Sequence, residues 1–337
     1  MSRARRMSGL DPVSGGIPRE PGVKPPRVLE RAPESVHGVL VVDKPEGLSS
    51  FETARRVAKM FSLPKVGHCG TLDPFATGVL LVAVNQGTRI VDLLTLQDKV
   101  YLVTVRFGVE TDTLDHTGKV QAVYDGSPME AQDCERAMRL FWGSFEQDVP
   151  RFSAVQVGGR RMYDMARKGV EVTPPRRWVR IESMELLDYS WPHAVLRVHC
   201  SKGTYIRQLV ADIGRRMGCG AHARALRRTA SGPFTEEAAL SMERMEELRR
   251  EGSWAKRVVP LDEALAHLPR VRMEDEGLLR RLKNGDLDLV WQREQMSRLP
   301  QGRSPVCVLT PRMQLAALWW PEAEAGAGRR LRVFPFQ

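Results

Sequence analysis

The residue pattern predicts an α+β fold: a mixed sheet with helices, followed by a smaller β unit. Val79–Val84 is a wholly apolar run of strand length. Tyr101–Phe107 alternates, with Val103, Val105 and Phe107 on one side and Leu102, Thr104 and Arg106 on the other. Helical segments lie between such strands, but without the regular alternation of a doubly wound sheet.

Taken in order, the first strand is expected at Val36–Val42, closed by Asp43-Lys44-Pro45-Glu46-Gly47. Ser49 and Ser50 offer caps for a helix over Phe51–Phe61, whose Ala54, Val57, Ala58 and Phe61 share one face. After the 79–84 strand, Ile90, Leu93 and Leu94 recur at helical spacing. Residues 130–142 read as an amphipathic helix, and 181–189 and 194–200 as strands. Gly203-Thr204-Tyr205-Ile206 opens a helix running to Met217. A boundary falls at Ala264–Pro269. Beyond it, Glu276–Lys283 is a short helix ending in the turn signal Asn284-Gly285, and Val306–Leu309, Leu315–Trp320 and Leu331–Phe336 are strand-like. The expected division is a flexible basic arm over 1–35, a main domain over 36–265 and a small β domain over 266–337. The arm is rich in Pro and Gly and lacks apolar periodicity. The acidic stretch Pro321–Gly328 reads as a mobile loop.

Composition narrows the function classes. Among 337 residues, 51 are Lys or Arg and 41 Asp or Glu, a net charge of +10. That field suits a polyanionic partner, and equally keeps a protein in solution. The longest apolar runs are six residues, against about 20 needed to span a bilayer. Cys69, Cys134, Cys200, Cys219 and Cys307 include no C-x-x-C pair, so neither a zinc site nor a disulfide framework is indicated. No apolar core follows the basic N-terminus, so no secretory signal is expected and the cytoplasm is the simplest location.

Residues 65–78, KVGHCGTLDPFATG, set a single carboxylate, Asp73, in a loop punctuated by Gly67, Gly70, Pro74 and Gly78. From spacing alone this is either an ordinary turn capped by Asp73 or a rigid platform for one accurately placed carboxylate.

The run GHCGTLDPFATGVLLV resembles the catalytic-loop motif of the TruB family of tRNA pseudouridine synthases, with Cys69 where Thr is usual. Further resemblances follow in family order: GVLVVDKPEGLSS (38–50), KVYLVTVRFGVETDTLDHTG (99–118), FSAVQVGGRRMYDMARKG (152–169), CSKGTYIRQLVADIG (200–214) and GCGAHARALRRTASG (218–232). Together they cover about residues 36–235. The resemblance implies a mixed-sheet pseudouridine synthase catalytic domain followed by a PUA-like RNA-binding domain. It implies isomerisation of a uridine in tRNA, at position 55 of the T-arm. No cofactor or metal, no obligatory protein partner and a monomer are expected.

The same resemblance assigns site residues. Asp73 is the essential carboxylate, acting on base or sugar, with removal of a sugar proton the preferred route. Tyr101 is the active-site tyrosine, against the target base; without the family match it reads as a core aromatic. Arg207 pairs with Asp73, its planar fork orienting the carboxylate in a way Lys could not. Tyr205 and Leu226 line the base pocket, although Leu226 also reads as plain core. His68 wedges into the RNA where bases have left their stack. Lys44 and Pro45 brace the Asp73 loop, and Asp112 and Asp115 cap the acidic loop. RNA affinity is expected from a mobile basic insert at 151–180, carrying Arg151, Arg160, Arg161, Arg167, Lys168, Arg176, Arg177 and Arg180, with Tyr163 and Trp178. Phe152 departs from the Tyr common in the family. The alternatives are a non-catalytic tRNA-folding chaperone and a synthase for another RNA.

Overall fold

A computed structural model describes residues 35–153, 155–162, 165, 170, 173–299, 304–321 and 331–336, and structural statements refer to these. The expected 1–35 arm, apart from Ser35, and all of the Pro321–Gly328 loop except Pro321 lie outside the described residues, as do Tyr163, Arg167 and Lys168.

The strands are β1 Gly38–Lys44, β2 Val66–Cys69, β3 Thr77–Val84, β4 Lys99–Phe107, β5 Val109–Thr111, β6 Val120–Val123, β7 Gly143–Asp148, β8 Gln156–Val157, β9 Arg160–Arg161, β10 Arg176–Ser190, β11 His193–Cys200, β12 Ala221–Ser231 and β13 Phe234–Thr235. Nine of them form one sheet in the order β1-β3-β12-β4-β11-β10-β7, with β2 added to β3 and β13 to β12, while β5 pairs with β6 and β8 with β9 separately. Every pairing in it is antiparallel except β3 with β12. The α+β expectation holds.

The helices are α1 Ser50–Met60, α2 Val91–Thr95, α3 Ala131–Arg139 and α4 Ile206–Met217, with Met242–Arg250 and Leu261–Ala264 after them. Ser49 caps α1 reciprocally with Glu52, as a Ser three residues before a Glu predicts. Gly218, at φ +84°, ends α4 in the left-handed region. One face of the sheet carries Leu80, Val82, Tyr101, Val103 and Leu226 and packs against Val57 of α1, Met138 of α3 and Leu209 and Ile213 of α4. Each such fully buried aliphatic side chain contributes roughly 1.5–3 kcal/mol.

On the opposite face, Val39, Val41, Val79 and Leu81 meet Leu261, Leu265, Leu309, Leu315, Leu318 and Phe334. The latter come partly from a second sheet, β14 Arg270–Arg272, β15 Val306–Leu309, β16 Leu315–Trp319 and β17 Leu331–Val333, paired in that order. Glu276–Lys283 forms the expected short helix, and a further helix spans Leu289–Met296. Polar contacts clasp β17 to the segment after β3. Arg332 makes a fork to Asp92, both bonds 3.1 Å, while Arg89 donates to the Val333 carbonyl at 2.5 Å.

Some placements differ from the expectations: the 65–78 stretch expected as a loop begins with β2, and the helix at Leu289–Met296 has no counterpart in the pattern. β12, at the centre of the sheet, was not anticipated as a strand. Arg176, Arg177 and Arg180 belong not to a mobile insert but to the 15-residue β10, where Arg176 bonds Asp148 and Arg180 pairs with Glu182.

Gly78 shows how tightly β3 and β12 approach. Its φ is +97°, and a Cβ there would lie 2.3 Å from the Arg228 carbonyl oxygen. Gly78→Ala should therefore destabilise the fold by roughly 1–3 kcal/mol or more, read as a lower urea midpoint; an unchanged midpoint would mean that β12 moves aside freely.

Candidate active site

Asp73 sits in the loop joining β2 to β3, and its neighbours are tied down on both sides. The Ser50 hydroxyl accepts from the Leu72 amide at 2.8 Å and donates to the Leu72 carbonyl at 3.1 Å. The Pro74 carbonyl accepts from the Gly47 amide at 2.8 Å and from Lys44 Nζ at 3.2 Å. Lys44, fully buried, also donates to the carbonyls of Leu48 and Pro45, at 2.5 and 2.9 Å. The bracing expected of the Lys44–Pro45 turn is thus made by an ammonium aimed at three carbonyls, and it leaves the Asp73 side chain 32% exposed.

Arg207, in the first turn of α4, is 4% exposed and faces that carboxylate. Its Nε donates to Asp73 Oδ2 at 2.8 Å and its Nη2 to Oδ1 at 3.0 Å. Nη2 also reaches the Phe152 carbonyl at 3.0 Å, and Nη1 reaches the Thr113 carbonyl at 2.7 Å and Asp115 Oδ2 at 3.4 Å. A guanidinium has five N–H donors, and the five bonds here match that number. An ammonium has three. Asp115 is buried and also caps its own loop, accepting from the Thr117 amide and the hydroxyls of Thr113 and Thr117. Asp112 caps the Lys119 amide at 2.8 Å. Phe75 meets His116 edge-on at 5.5 Å, so this acidic loop also packs against the Asp73 loop.

Tyr101 lies buried on the same sheet face, opposite Arg228 across β4 and β12. Burial pushes its phenol pKa up, an effect the Arg228 guanidinium opposes, so the hydroxyl is protonated at neutral pH. Leu226, two residues along β12, is buried in the core beneath. His68 is half-buried on β2, its Nδ1 buried without a hydrogen-bond partner among the described residues. Burial first, then Arg228, lowers its pKa, which leaves a neutral ring. Tyr205 precedes α4 and is held by Gln147 and Arg177. Arg160 and Arg161 form β9, paired with β8, and their side chains are outside the described residues. Arg207 thus joins Asp73 to the Thr113–Asp115 loop and, through Phe152, to the insert; the Asp73 charge also bears on the Tyr101 phenol, and Tyr205 stands two residues before Arg207.

The profile of the TruB family pseudouridylate synthase N-terminal domain matches residues 58–206, and that of the tRNA pseudouridylate synthase B C-terminal domain matches 207–266. A protein named tRNA pseudouridine synthase B from Syntrophobacter fumaroxidans is 51% identical over 88% of this chain and 97% of its own length. A namesake from Geobacter sulfurreducens is 42% identical over 71% of this chain and 79% of its own length. The chain belongs to the TruB family of tRNA pseudouridine synthases.

Among solved structures, a Cbf5–Nop10–Gar1 complex contains a chain 26% identical with a TM-score of 0.66, covering 90% of this chain and 85% of that one. An H/ACA RNP bound to a substrate RNA containing 2'-deoxyuridine contains another, 25% identical with a TM-score of 0.63, covering 84% of this chain and 78% of that one. The TruB reaction, isomerisation of uridine to pseudouridine in tRNA, therefore frames the site.

Arg228 and Gln147 are parts of this TruB site that the residue pattern does not predict, and Asp115 does more than the loop capping expected of it. Arg228, 1% exposed, donates to the carbonyls of Val79 at 2.7 Å and Gly70 at 3.2 Å, stitching both ends of the Asp73 loop to β12. Its signal was the period-two spacing from Leu226, which places an arginine on the inward face. Asp115 was read as a cap, but its second oxygen serves Arg207. Gln147 carried no local signal.

Burial lowers the Lys44 pKa from 10.5 to about 8, opposed by the nearby Asp73 carboxylate. Between those values the unfolded chain holds the extra proton, so this residue makes stability rise with pH from about 8 to about 10.5 and adds no slope below. Urea unfolding across that range should show wild type gaining on Lys44→Met as pH rises. A constant difference would mean that the buried ammonium keeps its ordinary affinity.

Proposed function

We propose that this protein converts a uridine of the tRNA T-arm, position 55, to pseudouridine, with Asp73 as the essential carboxylate. The observation that carries the reading is the bidentate Arg207–Asp73 pair, in which the cation is buried and the carboxylate partly open. A substrate can reach Asp73, while Arg207 fixes where its oxygens point.

The reaction balances internally. The N1–C1′ bond breaks, the base turns, and a C5–C1′ bond forms, while the C5 proton leaves and N1 takes one up. Asp73 acts at the sugar–base junction, with removal of a sugar proton the preferred route. Tyr101 flanks the base as a neutral phenol able to stack and to donate a hydrogen bond. Tyr205 and Leu226 wall the pocket that receives the extruded base. His68, uncharged, fills the space the base leaves in the RNA. Backbone grip comes from the basic insert, through Arg160 and Arg161, and from the C-terminal sheet as a PUA-like accessory clamp. Curated relatives bearing the tRNA name at 40–51% identity support a stand-alone tRNA enzyme over a guide-RNA particle.

Asp73→Asn keeps the shape of the side chain but loses its charge and basicity. It should abolish isomerisation while tRNA affinity stays within about an order of magnitude of wild type. Chemical mapping of pseudouridine on unmodified tRNA reads the first and filter binding the second. Near-normal turnover would remove Asp73 from its role.

Phosphate contacts make affinity fall with salt. Replacing Arg160 and Arg161 with Ala should weaken binding of different tRNAs equally and flatten the plot of log affinity against log salt. The modified uridine should not change, because phosphate contacts position and pocket contacts specify. Superimposable salt plots would mean that the RNA lies elsewhere.

A further inference from the structure

We infer that Gln147 and Arg177, directly paired across β7 and β10 where the basic insert leaves the sheet, are positioning residues that set Tyr205 for the uridine base. The inference rests on the reading of Tyr205 as a pocket wall.

Gln147 is 1% exposed, on a strand whose alternate residues Glu146 and Asp148 face solvent. Both ends of its amide bond one residue. Oε1 accepts from the Tyr205 amide at 2.8 Å, and Nε2 donates to the Tyr205 carbonyl at 3.0 Å. Two bonds to the same residue fix the plane and direction of the backbone there, as in a closely paired strand. Tyr205 is also the residue before α4, and it has no side-chain hydrogen bond capping the helix. The start of α4, with Arg207 in its first turn, is therefore held by Gln147.

Arg177 is the Cα partner of Gln147 and shares its side of the sheet. Its guanidinium lies over the Tyr205 ring, 5.3 Å from the centroid, a stacking geometry that holds the ring as the glutamine holds the backbone. Arg177 also passes Gly203, where a Cβ would sit 3.1 Å from Nη1. Its Nε is buried without a partner among the described residues, beside that ring contact. Gln147 and Arg177 bracket the insert, and Phe152 within it accepts from Arg207. Grip on RNA and orientation of the pocket wall meet at these two side chains.

The test measures single-turnover rates on saturating unmodified tRNA, with affinity measured separately, for Gln147→Glu, Arg177→Lys and Tyr205→Ala. Gln147→Glu keeps shape and the acceptor, but at high pH it sets a carboxylate oxygen against the Tyr205 carbonyl. Its rate at pH 8 should fall about tenfold or more, with affinity within about threefold of wild type. The ratio of variant to wild-type rate should climb as pH is lowered to 6, because the protonated carboxyl regains a donor. Arg177→Lys, which keeps the charge and loses the stacking plane, should also slow turnover and leave affinity alone. If Gln147→Glu does not fold, Arg177→Lys decides the question. A slow Tyr205→Ala beside normal rates for the other two would overturn the positioning inference alone. A normal Tyr205→Ala would overturn the pocket reading itself, and the inference with it. Rate losses that track lost affinity would make the pair an RNA contact instead.

Discussion

The buried guanidinium of Arg207 is the constraint on which the site depends. Desolvating a cation is costly unless partners replace the water, and five hydrogen bonds do so here. Those acceptors come from three separate loops, at Asp73, at Thr113–Asp115 and at Phe152. Satisfying one side chain therefore brings the carboxylate, the acidic loop and the start of the insert to one point. Removing one of these acceptors would leave a buried guanidinium short of partners, so geometry and stability are coupled at the site.

Around that centre, basic side chains serve as internal struts. Lys44 and Arg228 terminate on backbone carbonyls flanking Asp73. Arg227 spans Asp43 and Glu236, and Arg332 clasps the small sheet to Asp92. Lys44 and Arg228 count towards the net charge of +10 yet are buried on neutral carbonyls, so that part of the charge is not at the surface to meet a polyanion.

How much was legible follows from the range of each interaction. Val79–Val84 and Tyr101–Phe107 appeared as strands because apolar runs and period-two alternation are local properties. The α1 cap was readable because Ser49 and Glu52 are three residues apart. β12 was not, because Arg224, Arg227 and Arg228 are poor advertisements for a central strand. Its extended form comes from pairing with β3 and β4 on either side. The helix at Leu289–Met296 was missed because Leu289 and Val290 are exposed and only Trp291 is buried, so it shows no apolar stripe.

The sequence by itself determined the α+β class, the loop carrying Asp73 and, through ordered motifs, the family and its reaction. Only the tertiary structure decided that Asp115 shares Arg207, that Arg228 ties both ends of the catalytic loop and that Gln147 grips Tyr205. Those contacts join residues 92, 158 and 58 positions apart. Periodicity and capping act over a few residues of one segment, whereas these bonds exist only once the sheet has set distant strands side by side.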